Sequence, residues 1–140
     1  MTIFNIKTLR VSIIGEPNAG KSSLINSLFK KKHSIVSRKA QTTIKKYSVS
    51  MIKDEKQIIF TDTPGIMPYK NKLNRSIFKE TSNSAFESDF LVLLIDFKRD
   101  SVDKINLLIN YIKTYKINYL IALNKIDLMS EELFFKKAND

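Results

Sequence analysis

The sequence predicts an α/β fold: a mostly parallel sheet with helices on both faces, in three layers. Three observations carry that expectation. "DFLVLLID" and "NYLIALN" are continuously apolar, as strands buried on both faces of a parallel sheet are. "SVDKINLLINYIKTY", between them, has helical spacing. Near the start, a short apolar strand runs into a glycine-bounded loop and then an amphipathic stretch.

Taken in order, "LRVSIIG" reads as a strand and "KSSLINSLFK" as a helix. Leu24 and Leu28 stand four apart, as do Ile25 and Phe29, giving that helix one buried stripe. "YSVSMIK" alternates, with Tyr47, Val49 and Met51 on one face and serines on the other. "KDEK" makes a polar turn and "QIIFTD" returns, so the two strands form a hairpin. A further helix is expected within 71–87. The next helix buries Val102, Ile105, Leu108, Ile109 and Ile112. "SEELFFKKAND" begins as a helix, with Ser130 as N-cap and Glu131 and Glu132 in the positive first turn. One more strand and helix would need about 25–35 further residues.

Composition narrows the class. The chain has 140 residues, the size of one domain spanning 1–140. There is no cysteine, so disulfides and thiolate metal sites are excluded. That fits a reducing, cytoplasmic setting. The longest apolar run, "FLVLLI", falls far short of the roughly 20 residues of a membrane helix. "MTIFNIKTLR" lacks the apolar block of a secretory signal. The net charge of +10 suits a nucleic acid or an anionic surface as neighbour. An AT-rich codon bias accounts for it equally well: the basic residues are nearly all lysine, with arginine only at Arg10, Arg38, Arg75 and Arg99. The pairs and triplets "KKK", "RK" and "KK" lack the interleaved aromatics of a single-strand platform and read as a solvated face. His33, in a lysine-rich loop, reads as a solvated surface histidine.

Three segments carry chemistry. Gly15, Gly20, Lys21 and Ser22 match G-x-x-x-x-G-K-[ST] between a predicted strand and a predicted helix. Such a loop, here Gly15, Glu16, Pro17, Asn18, Ala19, Gly20, Lys21, Ser22 and Ser23, wraps a di- or triphosphate with backbone N–H groups at a helix N-terminus. Close approach excludes Cβ atoms, hence glycine. Lys21 neutralises the outer phosphates, and the Ser22 hydroxyl binds Mg²⁺. In "IIFTDTPGI", Asp62 ends an apolar strand at the ligand-binding edge of the sheet and suits Mg²⁺, through a water. Thr63, Pro64, Gly65 and Ile66 follow it, and the Gly65 N–H suits a terminal phosphate. "LNKID" ends the last apolar strand with Asn124, Lys125 and Asp127. A carboxylate there accepts two hydrogen bonds from guanine N1–H and its 2-amino group, a pair adenine does not offer. The Lys125 stem lies along the purine ring.

In this order and spacing, "GEPNAGKSSLINSL", "SRKAQTT", "DTPGI" and "NKID" resemble the translation-factor-class GTPases, and among them the Era family, over about residues 9–130. "SRKAQTT" is the most family-specific part. The resemblance implies a P-loop NTPase G domain with one antiparallel hairpin strand, lacking the last strand and helix of that fold. It implies a slow GTP-hydrolysing switch that serves small ribosomal subunit assembly, with small-subunit ribosomal RNA as partner of the full-length relatives. It gives Thr43, second of the tandem Thr42–Thr43, the role of switch residue over γ-phosphate and Mg²⁺. Catalysis would then rest on Lys21, Thr43 and Gly65, with metal ligation by Ser22, Thr43 and Asp62. Asn18 matches an asparagine that helps bind K⁺ in some relatives. Ile66 stands where Ras-like enzymes carry a water-orienting glutamine, which an isoleucine cannot replace.

The sequence departs from the family in three places. Ile44 follows the switch threonine where an arginine is usual. The Ser-Ala-Lys-like loop that touches guanine is absent, as is an RNA-binding KH domain. Without a sixth family strand, "NYLIALN" becomes an exposed apolar edge. Two other readings stay open: a truncated remnant that binds nucleotide weakly or not at all, and a basic RNA-contacting module.

Overall fold

A computed structural model describes residues 7–30, 38–41, 46–53, 56–63, 88–114 and 116–139. Its sheet has six strands: β1 (Lys7–Ile14), β2 (Arg38–Gln41), β3 (Lys46–Lys53), β4 (Lys56–Asp62), β5 (Phe90–Asp96) and β6 (Asn118–Asn124). The spatial order is β2-β3-β4-β1-β5-β6. β1 pairs in parallel with β4 and β5, and β5 in parallel with β6. β3 pairs antiparallel with both β2 and β4, so it alone runs against the rest. The helices are α1 (Lys21–Lys30), α2 (Val102–Lys113) and α3 (Glu131–Asn139). This is the expected α/β class with one antiparallel hairpin strand.

The alternation of β5 divides the core into two faces. Leu91, Leu93 and Ile95 point one way, with Ile14, onto Ile105, Leu108 and Ile112 of α2 and onto Phe134 of α3. Leu94 and Val92 point the other way, with Ile13, onto Ile25, Leu24 and Phe29 of α1. Phe29 meets Phe60 of β4 edge to face, with centroids 5.9 Å apart. Both faces are therefore covered where β1 and β5 run side by side, which is why these stretches carry no polar alternation. Leu93 is fully buried. Leu93→Ala is expected to lower stability by about 2–5 kcal/mol, since the cavity closes only partly. Urea unfolding measures it, and a loss below about 1 kcal/mol would contradict this packing.

The helix ends follow local signals. Ser101 caps α2, its Oγ accepting from Lys104 N, with Asp103 in the first turn and Lys113 in the last. Ser130 caps α3 in the same way, accepting from Leu133 N at 3.4 Å. Of the expected α1 stripe, Ile25 is buried and Leu24 and Phe29 are half-buried, but Leu28 is exposed.

The two edges of the sheet bear on the sequence reading differently. The expectation that "NYLIALN" forms an exposed apolar edge holds: Leu120, Ile121 and Leu123 are exposed, and β6 is the edge of the sheet. Among the described residues no strand pairs with its outer side, which leaves an apolar run at the edge. β2 was not expected. Its four residues have no strand periodicity and pair with the open edge of β3, Arg38 opposite Val49 and Gln41 opposite Lys46. The helix expected within 71–87, the "KDEK" turn itself and His33 lie outside the described residues.

Candidate functional site

The loop Gly15–Gly20 leaves the buried end of β1 and enters α1. Gly15 (φ 151°) and Gly20 (φ 101°) take backbone conformations that an L side chain resists. A Cβ on Gly15 would strike the Leu94 carbonyl, and one on Gly20 would strike the Asn124 amide. Asn18 adopts a left-handed conformation (φ 64°), which its short polar side chain tolerates. The loop closes with Ala19 N donating to the Glu16 carbonyl at 3.2 Å. Leu24 N then donates to the Gly20 carbonyl as α1 begins. No acidic residue stands within the first turn of α1 itself, which leaves its N-terminal partial positive charge uncancelled from within the helix.

Lys21 is buried and turned back over this loop. Its Nζ donates to the Gly15 carbonyl at 3.0 Å and the Glu16 carbonyl at 2.7 Å. Burial pulls its pKa below the ordinary lysine value, opposed by the charges of Asp62 and Glu16. The ammonium is thus held over the loop's concave side by two weak neutral acceptors.

Ser22 joins the loop to the end of β4: its hydroxyl donates to Asp62 Oδ2 at 2.6 Å. Asp62 Oδ1 is buried without a hydrogen-bond partner among the described residues. The Ser22 hydroxyl and the Asp62 carboxylate are two adjacent oxygen donors of the kind a hard divalent cation such as Mg²⁺ takes. Thr63 faces elsewhere. Its side chain is buried and donates to the Ile13 carbonyl at 2.8 Å, fixing β4 to β1.

The "NKID" segment joins the loop from the other side. Asn124 Nδ2 donates to the Ala19 carbonyl at 2.8 Å, and Lys125 Nζ donates to the Asn18 carbonyl at 2.9 Å. Lys125 has φ 61° and starts a short 3₁₀ turn, Ile126–Leu128, which carries Asp127. Asp127 is exposed and its carboxylate has no partner among the described residues. Pro17 and Ser23 are exposed on the loop and the first turn. Thr43, Pro64, Gly65 and Ile66 lie outside the described residues.

Four charged residues not anticipated from the sequence support these segments. Asp96, at the end of β5, is buried and pairs with Lys125 Nζ at 2.7 Å. Burial works against its charge, but the hydrogen bonds from Lys125 and from Arg99 N–H outweigh it and hold the pKa below the usual carboxylate value. A depressed folded-state pKa means stability that is complete above the unfolded value of about 4 and is lost as pH falls through the lower, folded value. Asp96→Asn is therefore expected to lower stability at pH 7 and to flatten its decline below pH 4. Urea midpoints against pH test this, and an unchanged acid limb would contradict it. Arg99, Asp100 and Lys104 complete the set beside Glu16. The signal available in the sequence was a polar "KRD" directly after an apolar strand that neighbours the phosphate-loop strand.

A parallel sheet that delivers a glycine-bounded phosphate loop, a carboxylate and an N-K-x-D segment to one edge defines a P-loop GTPase G domain. The family described as 50S ribosome-binding GTPase matches residues 10–125, and this chain belongs to it. The chain is similar to Era from Aquifex aeolicus bound to GDP·AlF4⁻, at 33% identity and TM-score 0.70, over 95% of this chain and 46% of that one. It is also similar to Era in complex with MgGDPNP and nucleotides 1506–1542 of 16S ribosomal RNA, at 31% identity and TM-score 0.69, over 96% of this chain and 46% of that one. The G domain of the T. maritima FeoB iron transporter shares the fold at 22% identity and TM-score 0.61, over 92% of this chain and 81% of that one. The chain spans just under half the length of the Era chains it matches. Among the described residues, no helix is long and apolar enough to cross a membrane.

Proposed function

We propose that this chain binds GTP with Mg²⁺ and hydrolyses it slowly, as a nucleotide-operated switch of the Era type. The observation that carries this reading is the direct stitching of three segments: Ser22 to Asp62 on one flank of the phosphate loop, and Asn124 and Lys125 to Ala19 and Asn18 on the other. A nucleotide lying across that loop has its phosphates over Lys21 and its base toward Asp127.

In this reading the loop's backbone N–H groups and the α1 N-terminus hold the phosphates. The Lys21 ammonium leaves its two carbonyls for phosphate oxygens, which are charged and so stronger acceptors. Ser22 and Asp62 would hold Mg²⁺, with Thr43 joining them; the ion neutralises phosphate charge. Gly65 would offer its N–H to the terminal phosphate. The unpolar Ile66 leaves the attacking water without a side chain to orient it, so unaided hydrolysis is slow. Asn18 is the position at which K⁺ would assist.

The Era neighbour bound to 16S ribosomal RNA motivates a role in small ribosomal subunit assembly, in the cytoplasm, for the protein to which this domain belongs. The charge of +10 is compatible with an RNA neighbour. Calorimetric titration with GTP, GDP and ATP tests the core of the proposal. Micromolar or tighter GDP binding with none for ATP is expected. A folded, soluble sample that binds none of the three would overturn it.

A further inference from the structure

Directly behind the phosphate loop lies a closed ring of four charges drawn from the loop, the β5–α2 turn and α2. Glu16 and Asp100 are both almost fully buried, with side chains 4% and 1% exposed. Arg99 Nη2 meets Glu16 Oε2 at 2.9 Å and Asp100 Oδ1 at 3.1 Å. Lys104 Nζ meets Glu16 Oε1 at 2.5 Å and Asp100 Oδ1 at 3.7 Å. Arg99 Nη1 also donates to the Pro17 carbonyl at 3.1 Å, so one guanidinium holds two consecutive residues of the loop. Its Nε donates to Asp100 Oδ1, and Asp100 Oδ2 accepts from Asp96 N. The turn is held in its own right: Lys137 of α3 donates to the carbonyls of Phe97 and Asp100.

The placement poses an electrostatic problem. Glu16 is a buried anion in a loop that is to receive a polyphosphate. It and Arg99 both lie close enough to Lys21 to act on its ammonium, with opposite signs. An uncompensated carboxylate there would repel the ligand, and little water intervenes to screen it.

We propose that Arg99 is a positioning residue for nucleotide binding: its guanidinium, together with Lys104, neutralises Glu16 and pins the Pro17 carbonyl, so that the loop presents a net positive, preformed cradle to the phosphates. The proposal rests on the nucleotide-binding reading above and deepens it. Lysine cannot replace arginine in this role, because the planar fork is what reaches Glu16, Asp100 and the Pro17 carbonyl together.

The experiment compares mant-GDP affinity for wild type, Arg99→Gln, Arg99→Lys and the double variant Glu16→Gln/Arg99→Gln, each with its thermal midpoint. Arg99→Gln is expected to weaken binding about tenfold to a hundredfold, as removing one partner of the buried Glu16 carboxylate does. Arg99→Lys should fall between wild type and Arg99→Gln. The double variant removes both charges and is expected to recover affinity to within about threefold of wild type, a rescue that a purely structural brace would not give. It also leaves no charge unpaired at Glu16, so it remains informative should Arg99→Gln fail to fold. An Arg99→Gln protein that binds as wild type does would overturn the proposal, as would a double variant more than tenfold weaker. If wild type itself binds no GDP, it is the nucleotide-binding reading that fails, and the two failures are thereby told apart.

Discussion

Replacing Lys21 with alanine is expected to abolish measurable GTP binding. In the structure its ammonium is committed to the Gly15 and Glu16 carbonyls, at 3.0 and 2.7 Å. It is buried there, and burial disfavours its charge. A triphosphate offers charged oxygens instead, and each charge-assisted hydrogen bond contributes about 1.5–3 kcal/mol. Losing two of them weakens binding roughly a hundredfold or more. Alanine has a second effect, since it leaves the two loop carbonyls without a donor and lowers the stability of the free protein by about 1–3 kcal/mol. Calorimetry therefore belongs well below the thermal midpoint, with far-ultraviolet circular dichroism confirming the fold. A folded Lys21→Ala protein that retains GTP affinity would show that the loop does not serve phosphate.

What could be foreseen without coordinates divides along physical lines. The strands β1, β4 and β5, the caps of α2 and α3 and the phosphate loop are each written in a contiguous stretch. Burial pattern, capping hydroxyls and the glycine spacing are local consequences of local residues. β2 is held by pairing with another strand, and no pattern within its four residues announces that. The apolar run of β6 reports what the strand is suited to, not whether a neighbour covers it, so the exposure of Leu120 and Leu123 was legible only through the family resemblance. The ring around Arg99 was invisible for a third reason. Glu16 and Arg99 lie 83 residues apart, and "KRD" reads as an ordinary polar turn until β1 and β5 are set side by side. The pairing of β1 with β4 on its other side explains Thr63, which sequence order places among ligand-binding residues but whose hydroxyl ties β4 to β1.

Base specificity offers the other large effect. Asp127 sits on a turn that Lys125 starts in a left-handed conformation, and Asn124 and Lys125 fix that turn onto the phosphate loop. Asp96 holds Lys125 from behind. The carboxylate itself is exposed and without a protein partner among the described residues, so both its oxygens are open to a ligand. Guanine presents two donors side by side, N1–H and the 2-amino group. An asparagine at this position turns one acceptor into a donor, which then faces a donor on the base. One charge-assisted bond is lost and an N–H is left opposed, together about 3 kcal/mol or roughly a hundredfold in GDP affinity. Xanthine carries a carbonyl where guanine carries the amino group, so it meets the asparagine donor with an acceptor and keeps its N1–H for the amide oxygen. Asp127→Asn is thus expected to bind XDP more tightly than GDP, in reverse of the wild-type order, as parallel calorimetric titrations would read directly. An unchanged preference for GDP would mean that the base is recognised elsewhere, and the turn at 126–128 would lose its role in recognition.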